Sequence, residues 1–232
     1  MSTPRIDKES YPMVEVFQSI GKKAYQRGLC SANDGNFSWR LDEWHIGCTV
    51  SGTGKGMLTE SDFTVVDLYG NNVYPDRKPS SEVLLHLLVY WQRRDVQVVL
   101  HLHSPFTVAL SLLDSNFSYD VPLTAESILM WGKVPVIPFS LPGSSEVPDN
   151  LAPYLDKCQA AVLAHHGVVA WGEDAWDTYF LLEALESYSF LYYQLYPYRD
   201  RIQTLSPEEV LRLRALRKRY FPNRRYLEDS SV

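Results

Sequence analysis

Most of the chemistry open to this 232-residue chain lies in six histidines, a few acids and three polar loops. The sharpest feature is His101-Leu102-His103. Alternate residues of a strand share a face, so both imidazoles project together while Leu102 enters the opposite layer. Two imidazoles at a strand end suit a divalent metal of the zinc type, which favours nitrogen ligands; two core or surface histidines without metal are the plainer alternative. His165-His166-Gly167 stands where another strand breaks at a glycine, a place where a side chain can be presented beside a close backbone turn. A third imidazole there completes a three-histidine site with an open position, the arrangement catalytic metals use. His166 is the favoured ligand of that pair, with His165 supporting it or packing nearby. His86, mid-helix in an apolar stretch, reads as a satisfied core histidine, and His45 as a surface residue on a hairpin.

Glu82 is the carboxylate to set beside these imidazoles. It falls in the first turn of a helix opened by Pro79-Ser80-Ser81, where the macrodipole favours negative charge. Such an acid usually does no more than that, but beside a metal it can serve as ligand or general base. The polar pairs Gly35-Asn36, Ser51-Gly52 and Ser80-Ser81 combine hydroxyl or amide donors with a glycine turn or a helix start. Together they can offer uncharged donors to a phosphate, though each alone is an ordinary turn or cap. The chain has no GxxxxGK[ST], GxGxxG or GxSxG sequence, so nucleotide binding and serine hydrolysis lose their usual support.

Strands and helices interleave along the chain to position these groups. Val14, Phe17, Ile20 and Ala24 recur at helical spacing and Gly28 ends that helix. Short strands are expected at 37–41, 44–48, 63–68, 96–103 and 160–163, and again at 168–171. Val134 to Phe139 is expected at a sheet edge, because its prolines cannot donate to a central ladder. Helices are expected from about 79 to 94, after Pro105, over 175–196 and over 207–220. Several strand pairs read as hairpins, which implies an α/β protein: a three-layer α/β/α sandwich around a mixed, mainly antiparallel sheet. Residues 1–232 read as a single domain with a basic C-terminal helix and tail from about 206.

Composition supports an ordinary folded enzyme-sized domain, with 45% hydrophobic and 22% charged residues. No apolar run reaches the ~18 residues of a membrane helix, and the first ten residues lack the apolar core of a secretory signal. Three scattered cysteines favour reduced thiols and a cytoplasmic setting. The net charge of −6 divides unevenly: residues 206–232 carry seven Lys/Arg against four Asp/Glu, and the first 205 carry 15 against 24. So acidic a body is a poor nucleic-acid binder. In the tail, Leu211, Leu213, Leu216 and Tyr220 are placed to line a helix with arginines distributed around it; the plainer reading is a solvated or subunit-contact helix, the sharper one a tail arginine or tyrosine (Tyr220, Tyr226) that reaches a neighbouring site.

Gly35-Asn-Phe-Ser38, Ser51-Gly52, Lys78-Pro-Ser-Ser-Glu82, His101-Leu-His-Ser104 and His165-His-Gly167 occur in the order seen in the class II aldolase/adducin family. Over roughly residues 12 to 198 the chain resembles that family, and within it the L-fuculose-1-phosphate type of aldolase most. The resemblance implies a layered α/β/α fold and a homotetramer with active sites between subunits. It also implies one zinc ion per subunit on His101, His103 and His166, with manganese or cobalt as substitutes. Glu82 matches the acid that ligates zinc at rest and acts as base on substrate. Gly35, Asn36, Ser51, Gly52, Ser80 and Ser81 match the phosphate-binding stretches. The implied reaction is cleavage of a ketose 1-phosphate to dihydroxyacetone phosphate and an aldehyde.

One departure matters. The fuculose-phosphate aldolases carry a tyrosine before the Val-Pro-Val-Ile-Pro-like strand, and here that stretch reads Pro122-Leu-Thr-Ala-Glu-Ser-Ile128. Glu126 is therefore the candidate acid/base, in a pattern similar to methylthioribulose-1-phosphate dehydratases; the alternative is an ordinary helix-start carboxylate. A pentulose-5-phosphate 4-epimerase shares the metal set, and adducin-type heads share the fold as scaffolds.

Overall fold

The computed structural model describes Ile6, residues 11–113, Phe117 and residues 119–226. The reading of the N-terminal ten residues, Ile6 apart, and of the tail beyond Tyr226 lies outside these described residues. The chain opens with α1 (Tyr11–Gln26), whose Val14, Phe17, Ile20 and Ala24 are fully buried on one stripe. Three strands follow, β1 (Asn36–Arg40), β2 (His45–Thr49) and β3 (Phe63–Asp67), then α2 (Val83–Gln92) and β4 (Val98–Leu102). Next come α3 (Pro105–Leu113), α4 (Ala125–Met130), β5 (Val136–Ile137) and α5 (Glu146–Leu151). The hairpin of β6 (Ala160–Leu163) and β7 (Gly167–Gly172) leads to α6 (Ala175–Leu195) and α7 (Pro207–Tyr220).

The seven strands form one sheet in the order β3-β2-β1-β4-β7-β6-β5, and only the β5–β6 pair is parallel. Strand alternation sends side chains into two separate cores. Phe37, Trp39, Val98, Leu100, Leu102, Val168 and Ala170 pack with residues of α1, α3 and α6 on one face. Ile46, Cys48, Val99, Val169 and Trp171 pack with α2 and α5 on the other. The mixed, mainly antiparallel sheet between two helical layers is the expected sandwich, and Val136–Ile137 does lie at its edge. Among the described residues no helix is long and apolar enough to cross a membrane.

Two local readings are corrected. The helix expected from residue 79 begins only at Val83, and Glu82 is its N-cap with φ −100° and ψ 14°, not a first-turn residue. Chain reversal, not a strand break, occurs at His165-His166: Leu163 pairs with Gly167, and His165 takes φ 63° in the turn between. Both strands hydrogen-bond along the hairpin, which hydropathy alone cannot distinguish from one interrupted strand. In α7, Leu211 and Leu216 are exposed, as in a solvated or subunit-contact helix, Leu213 is half-buried, and Arg217 is the buried residue.

Gly167 is where the hairpin touches the histidine strand. A Cβ there would stand 2.6 Å from the Leu102 carbonyl oxygen and 2.8 Å from Cε1 of His101. Gly167→Ala is expected to lower unfolding free energy by about 1–3 kcal/mol, the usual cost of overpacking a tight site, as read from urea denaturation. Unchanged stability would contradict this packing.

Candidate metal centre

Helix α2 and strand β1 meet along two polar stripes. Glu82, His86 and Tyr90 recur every fourth residue, so they share one side of the helix as it faces the sheet. Asn36 and Ser38 alternate on β1, and Asn36 pairs across the ladder with His101 of β4. Directly opposed residues share a face, so Asn36, Ser38 and His101 all look toward α2.

A chain of hydrogen bonds joins the stripes. Tyr90 OH lies 2.9 Å from Ser38 Oγ, which lies 2.6 Å from His86 Nδ1. His86 Nε2 is 2.5 Å from Asn36 Oδ1, and Asn36 Nδ2 donates to Glu82 Oε2 at 2.8 Å. Asn36 Oδ1 can only accept, so His86 donates from Nε2 and accepts at Nδ1 from the Ser38 hydroxyl. Burial pushes His86 down to about 3, keeping the imidazole neutral as this pattern requires. Every donor in the chain thus points toward Glu82.

Glu82, His101, His103 and His166 bring one potential ligand atom each to a group spanning no more than 4.8 Å. His101 Nε2 stands 3.4 Å from Glu82 Oε2, His166 Nε2 3.1 Å from Glu82 Oε1, and His103 Nε2 3.1 Å from His101 Nε2. His101 Nδ1 is 3.0 Å from the Val168 carbonyl, which can only accept, so the proton sits on Nδ1 and Nε2 presents a lone pair. Burial pushes His103 down to about 3 and lowers His166 as well. Burial works to raise the Glu82 carboxyl, but the adjoining His101 and His166 imidazoles and the Asn36 amide outweigh it and hold the group well below the usual carboxylate range. Three imidazoles and an ionised carboxylate thus converge on one point. This donor set fits a divalent cation.

The other candidate residues fall into two groups. The Ser51-Gly52 and Ser80-Ser81 loops run side by side, with Ser51 N donating to the Lys78 carbonyl at 2.9 Å and Ser80 N to that of Thr49 at 3.1 Å. Ser51, Gly52 and Ser81 are exposed, while Ser80 Oγ accepts from Glu82 N at 3.3 Å, linking the loop to the cluster. Gly35 is buried immediately before β1. The Asn36 side chain is engaged by Glu82 through Nδ2 and by His86 through Oδ1. Glu126 is exposed in the first turn of α4, outside the four-residue group. His165 is exposed and packs edge-on against Phe139, and His45 pairs with Asp42 at 3.0 Å, so neither joins the site.

Sequence reasoning missed two contributors. His86 is the satisfied core histidine it was expected to be, yet what satisfies it is the residue that holds Glu82; polar residues every fourth position of an apolar helix were the available signal. Lys55, just after the Ser51-Gly52 loop, is the second. It is 2% exposed, its ammonium donates to the Asn33 carbonyl at 3.2 Å and to that of Thr53, and burial pushes its pKa down. It thereby ties the loop before β1 to the Ser51-Gly52 loop.

Residues 15–193 match the family model described as class II aldolase and adducin N-terminal domain. The chain belongs to this metal-dependent family. A 3-oxo-tetronate 4-phosphate decarboxylase of Haemophilus influenzae is 34% identical over 84% of this chain and 93% of its own. A methylthioribulose-1-phosphate dehydratase of Pseudomonas syringae is 32% identical over 74% of this chain and 88% of its own. Among solved structures, the L-fuculose-1-phosphate aldolase of Thermus thermophilus superposes with a TM-score of 0.72 at 27% identity, covering 83% of this chain and 98% of that one.

The relay yields a direct test. His86→Leu removes the donor to Asn36 and is expected to lower metal affinity or turnover about 10- to 100-fold, the usual effect of losing a group that orients a ligand. Far-UV circular dichroism should be unchanged. Wild-type metal affinity and turnover in this variant would show that Glu82 is positioned without the relay.

Proposed function

We propose that the protein is a zinc-dependent lyase that releases dihydroxyacetone phosphate by breaking a carbon–carbon bond in a phosphorylated keto-sugar or keto-acid. The observation that carries this reading is a buried, ionised Glu82 held by Asn36 against the His101 and His166 imidazoles. A zinc ion on His101, His103 and His166 supplies Lewis-acid polarisation of the substrate carbonyl. The remaining work falls to the chain itself. An ionised Glu82 is suited to remove the proton from the hydroxyl-bearing carbon of dihydroxyacetone phosphate; in the cleavage direction it takes a proton from solvent and gives it to that carbon. The exposed donors of Ser51, Gly52 and Ser81, with Ser80 and Gly35 beside them, take the phosphate, and Lys55 adds positive charge behind the loops.

Two leaving fragments converge on the same enediolate. In a ketose 1-phosphate the C3–C4 bond breaks, its electron pair passes to the C2 carbonyl, and the C4 hydroxyl gives up its proton to the Glu126 carboxylate as the aldehyde forms. In a 3-oxo-tetronate 4-phosphate the C1–C2 bond breaks, carbon dioxide departs and the same three-carbon enediolate remains. Glu126 supports aldehyde release, since carbon dioxide leaves without a proton transfer at a departing oxygen; the name of the decarboxylase relative supports the second fragment. Dehydration of methylthioribulose 1-phosphate is a further reading, supported by Glu126 and by the dehydratase relative. The active unit in this proposal is a cytoplasmic homotetramer in which Glu126 of one subunit serves its neighbour. Exposed Phe180, Phe190, Leu191 and Tyr193 on α6 offer apolar surface for such an assembly, and all three cysteines are buried and free, as reduced thiols would be.

Deuterium exchange into dihydroxyacetone phosphate in D2O, followed by NMR, tests the shared step. Metal-loaded protein is expected to exchange the proton on the hydroxyl-bearing carbon, chelator to abolish it, and Glu82→Gln to slow it by about 10²- to 10⁴-fold. No exchange by protein shown to hold its metal would overturn the carbon–carbon lyase reading and leave dehydration.

A further inference from the structure

The C-terminal segment has a task in the fold that its charge does not suggest. The residue α7 buries is Arg217, 4% exposed, and a buried guanidinium must find acceptors. Its Nε donates to the Ile128 carbonyl at 2.6 Å. The chain then turns back, so that Tyr226 OH donates to the Leu129 carbonyl at 2.9 Å and Arg224 donates to that of Met130 at 3.0 Å. These three consecutive carbonyls are the last of α4, a helix of six residues. The final carbonyls of any helix lack intrahelical donors, and one this short has little stability of its own. Three side chains from one segment supply what α4 cannot.

Neighbouring contacts fix the donors in turn. Arg217 lies over the Tyr226 ring at 4.3 Å, Arg224 over Phe221 at 4.1 Å, and Arg224 also pairs with Asp177 at 2.6 Å. Gly132, with φ +69°, leaves the space Arg217 occupies, because a Cβ there would fall 2.3 Å from the guanidinium. The entry to α4 is held from the same side: Tyr188 OH donates to the Val121 carbonyl and Leu205 N to that of Pro122, each at 2.9 Å. The first turn of α4 carries Glu126.

We propose that residues 217–226 form a clasp that caps the C-terminal end of α4 and thereby sets the position of Glu126. Arg217, Arg224 and Tyr226 are positioning residues in this account, and Tyr226 acts within its own chain instead of reaching a neighbouring site. The functional half of the proposal rests on Glu126 acting at the departing fragment.

The test uses the full-length, metal-loaded protein and the variants Tyr226→Phe, Arg224→Met and Glu126→Gln. Tyr226→Phe removes one hydroxyl and keeps the ring beneath Arg217, so folding is preserved. Hydrogen–deuterium exchange by mass spectrometry is expected to rise at least about tenfold over residues 125–132 in Tyr226→Phe and Arg224→Met, a loss of about 1.4 kcal/mol in local opening. Release of dihydroxyacetone phosphate from L-fuculose 1-phosphate should fall several-fold in kcat with KM and metal content unchanged, whereas release from 3-oxo-tetronate 4-phosphate, which needs no proton transfer at a departing oxygen, should not fall. Deuterium exchange into dihydroxyacetone phosphate, which Glu82 governs, should keep its wild-type rate. Adding Tyr226→Phe to Glu126→Gln should cost nothing further, because a clasp acting through Glu126 has nothing left to position. Unchanged α4 exchange in both tail variants would overturn the clasp. An additive loss in the double variant would overturn its action through Glu126, and full turnover by Glu126→Gln would show instead that the reading of Glu126 had failed. If neither phosphate is turned over, the proposed function has failed and α4 exchange alone decides the clasp.

Discussion

Lone pairs that face one another repel, and this constraint organises the α2 side of the sheet. Three imidazoles and one ionised carboxylate are drawn within 4.8 Å, an arrangement that a bound divalent cation would make favourable. Each member is therefore held from behind by something stronger than its own preference. His101 is fixed on a central strand and by the Val168 carbonyl, and His166 by a hairpin turn closed through Leu163 and Gly167. Glu82 is held by Asn36, whose amide cannot flip without losing both partners. The cost of gathering these acceptors is spread over the sheet and α2.

The relay behind Glu82 explains why so much polarity is tolerated in a buried layer. Ser38, His86 and Tyr90 are at most 2% exposed, yet each is hydrogen-bonded, and the donors run in one direction. A buried polar network costs least when every member is satisfied, and such a network fixes geometry better than an apolar contact does. An apolar replacement at His86 would strand Asn36, and through it the Glu82 carboxylate. The surrounding loops are held by the same means: Lys55 joins two of them through carbonyls, and Ser80 links a third to Glu82.

The parts of this arrangement that depend on short-range spacing were legible in the sequence. His101 and His103 followed from strand period, with Leu102 confirmed in the opposite core, and Glu82 and His166 fell into place around them. The sandwich and its edge strand followed from turn chemistry and from prolines. What was not legible depends on which element lies across from which. His86 looked like packing because its partner, Asn36, is 50 residues away on another element. The turn at His165 looked like an interruption because only strand pairing shows that the chain reverses. Arg217 defeated hydropathy altogether: its burial follows from the unsatisfied carbonyls of α4, a helix too short to announce itself by periodicity.

The central claim is that Glu82 and three imidazoles form a single metal-binding unit. X-ray absorption spectroscopy of the zinc-loaded protein tests it most directly. The account expects a coordination shell containing imidazole nitrogens from three histidines and one carboxylate oxygen, with the oxygen contribution altered in Glu82→Gln. A shell of oxygens alone, without the multiple-scattering signature of imidazole, would contradict it.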